Sequence, residues 1–172
     1  DDTLVMGGQC APMLIEAFGE HIVAKSVVAE ESKLPEGWSL KVPGAHNRYN
    51  AALALLAARA FGVEDAASKS ALEAFQGVPG RLELVAEKGS VKYYNDTTAT
   101  TPDATLAALS TLTPAKTVLI MGGADKSLDM DKLLAVLPET KGLVLLKGTG
   151  TDRIKASLPA SALVYDSMEK AV

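Results

Sequence analysis

One stretch of the sequence reads Val91-Lys92-Tyr93-Tyr94-Asn95-Asp96-Thr97-Thr98-Ala99-Thr100-Thr101-Pro102-Asp103-Ala104-Thr105. Its first residues are mostly β-branched or aromatic, which predicts a strand. Thr101 followed by Pro102 predicts a helix start, because Thr is a good N-cap and Pro fits the first helical position. Proteins of the α/β class commonly hold anions or nucleotides at such a polar junction between a strand and a helix. The spacing alone is equally compatible with an ordinary capped turn.

Composition and charge exclude several classes of protein. The chain has 172 residues, of which 48% are hydrophobic and 22% charged, as expected of a globular protein. A net charge of −4 argues against a general nucleic-acid binder, which needs a basic surface. The longest apolar run, near residues 53–61, is too short for a membrane span. The single cysteine, Cys10, cannot form an internal disulfide and fits a reducing compartment, and no Cys and His residues have zinc-site spacing.

The second half of the chain alternates apolar strands with amphipathic helices. Continuous apolar runs at 117–121 and 142–146 suit strands buried on both faces of a parallel sheet, and a third strand is predicted at 163–165. This alternation predicts a Rossmann-like α/β domain with right-handed crossovers. The segment 76–80 contains two Gly and a Pro, so we predict a domain over 1–77 and another over 78–172. We also expect a longer protein, since the chain starts without Met and ends inside a predicted helix.

Three singled-out positions follow predicted strands, which is where such folds bind ligands: Asp96, Lys126 and Gly148. Lys126 lies in Gly122-Gly123-Ala124-Asp125-Lys126-Ser127, and its ammonium would suit a carboxylate at the end of a strand. A glycine turn with an exposed Lys is the simpler explanation of the same residues. The run Lys147-Gly148-Thr149-Gly150 is too short for a nucleotide-binding fingerprint, and a plain turn explains it better.

Two further segments place polar residues at boundaries. The run Val42-Pro43-Gly44-Ala45-His46-Asn47-Arg48-Tyr49-Asn50 predicts a helix with Asn47 as its N-cap. The predicted buried face of this helix has helical spacing and consists of Leu53, Leu56, Ala57 and Ala60. The simpler explanation of His46 and Asn47 is that they only cap this Ala-rich helix. Arg81 directly follows the linker, where an Arg is normally a solvated charge.

Taken together, these segments resemble the Mur ligase family, and within it the branch that adds glutamate. The resemblance covers residues 43–172 and rests on four motifs in family order: P-G-x-H-N-x-x-N at 43–50, G-x-x-x-R-x-E at 77–83, N-D-x-x-A-T-x-P at 95–102 and G-G-x-D-K-x-x-D at 122–129. It implies a Rossmann-like C-terminal domain with a mostly parallel sheet, preceded by the tail of an α/β ATP-binding central domain.

The resemblance also implies an activity. The chain would be part of a cytoplasmic, ATP-dependent ligase of peptidoglycan precursor synthesis, whose partners are UDP-N-acetylmuramoyl-L-alanine, glutamate and the remaining N-terminal and central domains of the same protein. ATP and Mg²⁺ are the implied cofactors, with the metal ligands and the phosphate loop outside this chain, so the isolated fragment is expected to be inactive. The implied contacts are Asn50, Arg81 and Asp96 with ATP, Thr100 and Lys126 with glutamate, and His46, Asn47 and Thr98 in support.

The chain departs from the family at position 98. The glutamate-adding branch often reads N-D-S-K-A-T, whereas Thr98 replaces the Lys here, which removes a positive charge and leaves the preferred glutamate enantiomer open. A folylpolyglutamate synthase-like ligase would share both the fold and glutamate as a substrate. A non-catalytic α/β module that binds a small anion or a partner domain is the alternative from another class. Arg81 and Lys126 would then be replaceable surface charges.

Overall fold

A computed structural model describes residues 2–30, 34–159 and 161–172. The chain divides into two compact units, Asp1–Pro79 and Gly80–Val172. This division falls inside the Gly/Pro-containing segment 76–80. The identity of the first unit as the tail of an ATP-binding domain stays a prediction.

The described residues of the first unit form a two-stranded parallel sheet and three α-helices. Strands β1 (Thr3–Gly7) and β2 (Lys25–Ala29) pair in register from Thr3↔Lys25 to Gly7↔Ala29. Helix α1 (Ala11–Phe18) connects them, followed by a short 3₁₀ turn at Gly19–His21. Helices α2 (Ala45–Ala60) and α3 (Asp65–Ala74) complete the unit.

Helix α2 begins earlier than the sequence predicted. Its N-cap is Gly44, whose φ of +101° is a backbone conformation that favours glycine. The prediction of Asn47 as N-cap is therefore wrong. Asn47 lies in the first turn, and its Nδ2 donates to the Pro43 carbonyl oxygen at 2.6 Å. The amide thus still closes the start of the helix, but from inside it.

The buried face of α2 also differs from the predicted one. Ala51, Ala52 and Leu55 are the buried residues of the helix, and they form a core cluster with Leu34 and Trp38. The predicted stripe of Leu53, Leu56, Ala57 and Ala60 is only partly buried or exposed. Ala and Leu surround most of this helix, so periodicity alone does not select the side that packs.

An antiparallel hairpin opens the second unit. Strand β3 (Glu83–Lys88) pairs with β4 (Val91–Asn95) from Glu83↔Asn95 to Lys88↔Val91, and the two strands form a sheet of their own. The strand predicted from the first residues of the 91–105 stretch is present. It does not join the parallel sheet, so the polar turn after it is held by the hairpin.

The rest of the second unit is an alternating α/β fold, which confirms the predicted fold class. Helix α4 (Pro102–Leu112) is followed by β5 (Val118–Met121), α5 (Asp131–Val136), β6 (Gly142–Leu146), α6 (Thr149–Ile154), β7 (Leu163–Tyr165) and α7 (Met168–Ala171). The three strands form a parallel sheet in the order β5-β6-β7. Because the strands are parallel, the carboxyl ends of β5 and β6 lie at the same edge.

One apolar cluster holds this sheet against its helices. Its buried members come from α4, from β6, from α5 and from the turn that follows α5: Leu109, Leu133, Leu137, Leu143 and Leu145. Burying leucines of this size stabilises a fold by about 1.5–3 kcal/mol each. This core fixes the positions of β5 and β6, whose carboxyl ends carry the site described below. Within the described ranges, none of the helices is both long and apolar enough to pass through a membrane.

Candidate functional site

A pocket of about 290 Å³ opens at the carboxyl ends of β5 and β6 in the second unit. The loop after β5 and the first turns of α4 and α6 contribute to its wall. The polar and charged residues that the site argument uses are Thr100, Thr105, Asp125, Lys126 and Arg153. Ligands of open α/β sheets bind at this edge.

Two residues predicted to bind glutamate meet in this pocket. Lys126 Nζ donates to the Thr100 carbonyl oxygen at 3.4 Å, and both residues are exposed. A hydrogen bond this long is weak. An ammonium group has three donors, so the Lys126 side chain retains capacity for an anion. The structure brings the two residues together, and their role in binding glutamate remains a prediction.

Thr100 is placed by the start of α4. Thr101 is the N-cap, and its hydroxyl accepts from the Ala104 backbone N–H at 3.3 Å, as the sequence predicted. Pro102 occupies the first helical position and lines the pocket together with Thr105. The positive end of the helix dipole therefore points toward the same space as the Lys126 ammonium.

Glycines let the loops after β5 and β6 pack backbone against backbone. A Cβ on Gly148 would lie 2.5 Å from the Gly123 carbonyl oxygen, and one on Gly122 would lie 2.7 Å from the Leu146 carbonyl oxygen. The Gly150 N–H donates to the same Gly123 oxygen at 3.0 Å. The sequence had indicated a plain turn at 147–150. The segment does connect β6 to α6, and Gly148 in it permits the close approach of the loop that carries Lys126.

Asp125 organises the residues on either side of Lys126. Its Oδ1 accepts from the Ser127 backbone N–H at 2.9 Å and from Arg153 Nη1 at 2.8 Å. The hydrogen bond from the Ser127 backbone lowers the pKa of the Asp125 carboxyl most, and the hydrogen bond from Arg153 lowers it further, so this pKa lies below its usual range. The Asp125 backbone N–H donates to the Thr149 hydroxyl at 2.8 Å. Arg153 lines the pocket, and the sequence motifs did not single it out.

A second cluster joins the start of the unit to the turn after β4. The Thr98 backbone N–H and hydroxyl both donate to the Gly80 carbonyl oxygen, at 3.0 and 2.7 Å. The Leu82 backbone N–H donates to Asp96 Oδ1 at 2.9 Å, and Leu82 has an unusual φ of +43°. Arg81 lies between these two anchors with an exposed side chain. The two residues of this unit that were predicted to contact ATP, Arg81 and Asp96, are therefore neighbours.

Thr98 does not line the pocket that holds Lys126, and its hydroxyl donates to the Gly80 carbonyl oxygen. A supporting role for Thr98 stays a prediction. Glu83, which sequence reasoning did not assign to a site, supports the same cluster. Its Oε2 accepts from the Gly80 N–H at 2.8 Å and from Asn95 Nδ2 at 3.4 Å. The G-x-x-x-R-x-E motif contained this residue, and that spacing was the available signal.

The remaining predicted residues lie in the first unit. His46 lines an open cavity of about 470 Å³ at the carboxyl ends of β1 and β2, together with Gly8, Gln9, Glu30, Ala45 and Tyr49. A Cβ on Gly7 would overlap the Tyr49 hydroxyl, so that glycine allows the helix to approach the strand. Asn50 is exposed on α2 and does not line this cavity.

The exposed Arg81 has the chemistry that suits a phosphate. Within the described part of the chain, no group of three or more His, Cys, Asp or Glu side chains is arranged to hold a metal ion. The exposed Arg81 guanidinium offers the planar fork of donors that phosphoryl oxygens accept. Hydrogen bonds at Gly80 and Leu82 hold the backbone on both sides of Arg81, so the point from which its side chain projects is fixed.

The second unit is thus an α/β domain with a pocket at the carboxyl ends of its parallel strands, lined by Lys126, Arg153 and Asp125 together with several threonines. The family model described as "Mur ligase, glutamate ligase domain" matches residues 80–172. A UDP-N-acetylmuramoylalanine–D-glutamate ligase of Roseiflexus sp. is 43% identical over 120 residues, covering 69% of this chain and 26% of the relative. The ligase of that name from Nitrosococcus oceani is 36% identical over 149 residues, covering 85% and 33%. This chain belongs to the Mur ligase family.

Solved structures share the fold. MurF from Acinetobacter baumannii matches with a TM-score of 0.70 at 19% identity, over 98% of this chain and 43% of that one. The UDP-N-acetylmuramate-alanine ligase MurC from Thermotoga maritima matches with a TM-score of 0.62 at 23% identity, over 77% and 33%. The chain spans only 26% and 33% of the length of the two curated relatives above.

Proposed function

We propose that this chain is part of an ATP-dependent ligase that joins glutamate to UDP-N-acetylmuramoyl-L-alanine in peptidoglycan precursor synthesis. The observation that carries the proposal is the pocket at the β5 and β6 edge, where Lys126 and Thr100 meet within the segment that matches a glutamate ligase domain. Curated relatives named as D-glutamate ligases support this substrate over the folylpolyglutamate alternative.

Lys126 and Thr100 would bind one carboxylate of the incoming glutamate. The Lys126 ammonium supplies charge, and the Thr100 hydroxyl can donate a second hydrogen bond to the same group. The N-terminus of α4 adds a favourable dipole at the same place. Binding of this kind orients the amine toward an activated carboxyl group, which is how positioning contributes to the rate of amide formation.

Arg81 and Asp96 would serve the nucleotide. In the proposed reaction the terminal phosphoryl group of ATP passes to the substrate carboxylate, and the glutamate amine then displaces phosphate to leave an amide. Arg81 would neutralise charge on the phosphoryl oxygens. Asp96 holds the backbone beside Arg81 through the Leu82 N–H, so its carboxylate positions that turn as well. Mg²⁺ would supply further charge neutralisation, and we expect its ligands outside this chain.

In the first unit, Asn50 would contact the nucleotide, with His46 and Asn47 in support, as the family resemblance implies. Asn50 is exposed and carries both a donor and an acceptor, which suits the edge of a purine. Asn47 is bonded to Pro43, so we assign it to the structure of the helix start, with His46 in a supporting position. We expect the whole enzyme to work in the cytoplasm, where the nucleotide-linked precursor would be made.

The test is phosphate release by the full-length protein in the presence of ATP, Mg²⁺ and UDP-N-acetylmuramoyl-L-alanine. D-glutamate and L-glutamate are offered separately, and reactions that lack either the amino acid or the nucleotide-linked substrate report uncoupled hydrolysis. Release that depends on D-glutamate is the expected result. Release with L-glutamate alone would support the amide-forming ligase reaction but contradict the proposed preference for D-glutamate. Release with neither would leave the binding-module alternative as the better account.

A further inference from the structure

The loop that carries Lys126 has no regular structure of its own. Residues 122–130 contain no helix or strand, and nearly all of them are exposed. A flexible Lys side chain on an unsupported loop would sample many positions, and fixing it in one of them on binding would cost conformational entropy. The position of the Lys126 ammonium therefore depends on what holds this loop.

Helix α6 and the residues at its start supply three of the bonds that hold it. The Gly150 N–H donates to the Gly123 oxygen at 3.0 Å, and the Thr149 hydroxyl accepts from the Asp125 N–H at 2.8 Å. The third bond is the ion pair from Arg153 Nη1 to Asp125 Oδ1 at 2.8 Å. One bond acts on Gly123, and the other two act on Asp125, the residue directly before Lys126.

The Asp125 side chain also shapes the backbone beyond Lys126. The same Oδ1 that Arg153 contacts accepts from the Ser127 N–H at 2.9 Å, which closes a short turn around Lys126. Ser127 has a φ of +54°, a conformation that a residue other than glycine adopts only when its surroundings impose it. One carboxylate oxygen thus joins α6 to both flanks of Lys126.

We propose that Arg153 is a positioning residue for Lys126, acting through Asp125 to keep the Lys126 ammonium beside Thr100. The inference rests on the proposed function in one respect, namely that Lys126 binds glutamate. The ion pair is partly exposed, with 41% of the Arg153 side chain and 31% of the Asp125 side chain accessible, so it contributes little to overall stability. Its importance is geometric, because a planar guanidinium fixes the direction of the carboxylate better than an ammonium does.

The experiment compares Arg153→Met with Arg153→Lys in the full-length protein. The matched control is Arg59→Met, which removes a similarly exposed ion pair to Asp65 in the first unit, with an Nη2–Oδ2 distance of 2.6 Å. Steady-state assays give KM for glutamate and for ATP together with kcat. Hydrogen–deuterium exchange of residues 122–130 is measured on the same proteins, and this readout does not depend on activity.

Arg153→Met is expected to raise KM for glutamate about tenfold, the loss that corresponds to one hydrogen bond to a charged group, with KM for ATP unchanged. Arg153→Lys should recover part of this loss. Exchange at the Asp125 and Ser127 amides should accelerate in Arg153→Met and remain as in the wild type in Arg59→Met.

Exchange in the loop that is the same in Arg153→Met and in the wild type would overturn the inference, whether or not the protein is active. An unchanged KM for glutamate in an active Arg153→Met variant would overturn it too, as would a rise of equal size in Arg59→Met. A wild-type protein without glutamate-dependent phosphate release would instead refute the proposed function. In that case the exchange result still decides whether Arg153 holds the loop.

Discussion

Replacing Gly148 by Ala tests whether the loops after β5 and β6 need their close contact. Gly148 has a φ of 165°, which is extended backbone that alanine also adopts, so the change adds no conformational strain at position 148. The new Cβ would meet the Gly123 oxygen at 2.5 Å and its carbonyl carbon at 3.1 Å. Ordinary contact begins at 3.4 Å, so the Gly123 backbone must retreat by about 0.9 Å. Lys126 lies three residues further along that loop.

The expected cost is that of overpacking against a backbone that cannot rotate away. Such changes destabilise folded proteins by about 1–3 kcal/mol. For a unit of the size of Gly80–Val172, each kcal/mol lowers the melting temperature by about 4–8 °C. Displacement of the loop should also raise KM for glutamate in the full-length protein, because Lys126 moves away from Thr100.

Gly142→Ala is the matched control, since Gly142 lies in β6 and its added Cβ would meet Val118 only at 3.5 Å, an ordinary contact. Urea denaturation followed by circular dichroism gives the free energies of unfolding, and hydrogen exchange at the β6 amides reports the second unit separately. Gly142→Ala should be within about 0.5 kcal/mol of the wild type. A Gly148→Ala protein as stable as Gly142→Ala, with unchanged exchange at 122–130, would refute the close-contact argument.

Three further perturbations follow from the same geometry. Thr98→Val removes the hydroxyl bond to the Gly80 oxygen and should raise KM for ATP, because the turn that carries Arg81 is loosened. Thr98→Ser keeps the hydroxyl and should behave like the wild type. KM for glutamate, measured in the same assay, should not change in either variant. The pKa of the Asp125 carboxyl is depressed, so its contribution to loop order is complete above the usual Asp range and is lost as the pH falls through the lowered pKa. An NMR titration of Arg153→Met should give a higher pKa for the Asp125 carboxyl than in the wild type. Leu145→Ala, at a fully buried position, should cost about 2–5 kcal/mol in urea denaturation.

Each of these expectations has a contradicting outcome. A Thr98→Val enzyme with altered KM for glutamate would indicate that position 98 faces the amino-acid pocket. An Asp125 pKa that Arg153→Met leaves unchanged would show that the ion pair does not act on the carboxyl in solution. A loss below about 1 kcal/mol in Leu145→Ala would contradict the assignment of Leu145 to a packed core.

Local signals in the sequence predicted the second unit well. The start of α4 is defined by Thr101 and Pro102, whose effects act within one helical turn, and the structure confirms both positions. Leu133 and Leu137 are four positions apart, a helical spacing, and both are buried in α5 and the turn after it. The apolar runs of β5 and β6 predicted strands of a parallel sheet, because few other elements of that length are apolar throughout.

The first unit shows where such reasoning fails. Helix α2 is rich in Ala and Leu on most sides, and the side that packs is chosen by Leu34 and Trp38, which precede it in the chain. The N-cap prediction failed because Asn47 and Gly44 are both acceptable caps, and the positive φ of Gly44 is visible only in three dimensions.

Long-range contacts at the site were also beyond the sequence. Arg153 and Asp125 are 28 positions apart, so no local spacing links them. Gly148 lies in what the sequence indicated as a plain turn, and only the backbone of Gly123, in the loop after β5, shows why a side chain is excluded there. The sequence motifs located Lys126 and Arg81, whereas the hydrogen bonds that hold the backbone around them became visible only in the structure.

The central claim is that the pocket at the β5 and β6 edge receives glutamate. KM for glutamate in Lys126→Ala, measured by phosphate release in the full-length protein, tests it most directly. Lys116→Ala is the control, because Lys116 is exposed before the start of β5, at the opposite end of that strand. We predict that Lys126→Ala raises KM for glutamate about tenfold or more with KM for ATP unchanged, and that Lys116→Ala changes neither. An unchanged KM for glutamate in an active Lys126→Ala enzyme would contradict the claim.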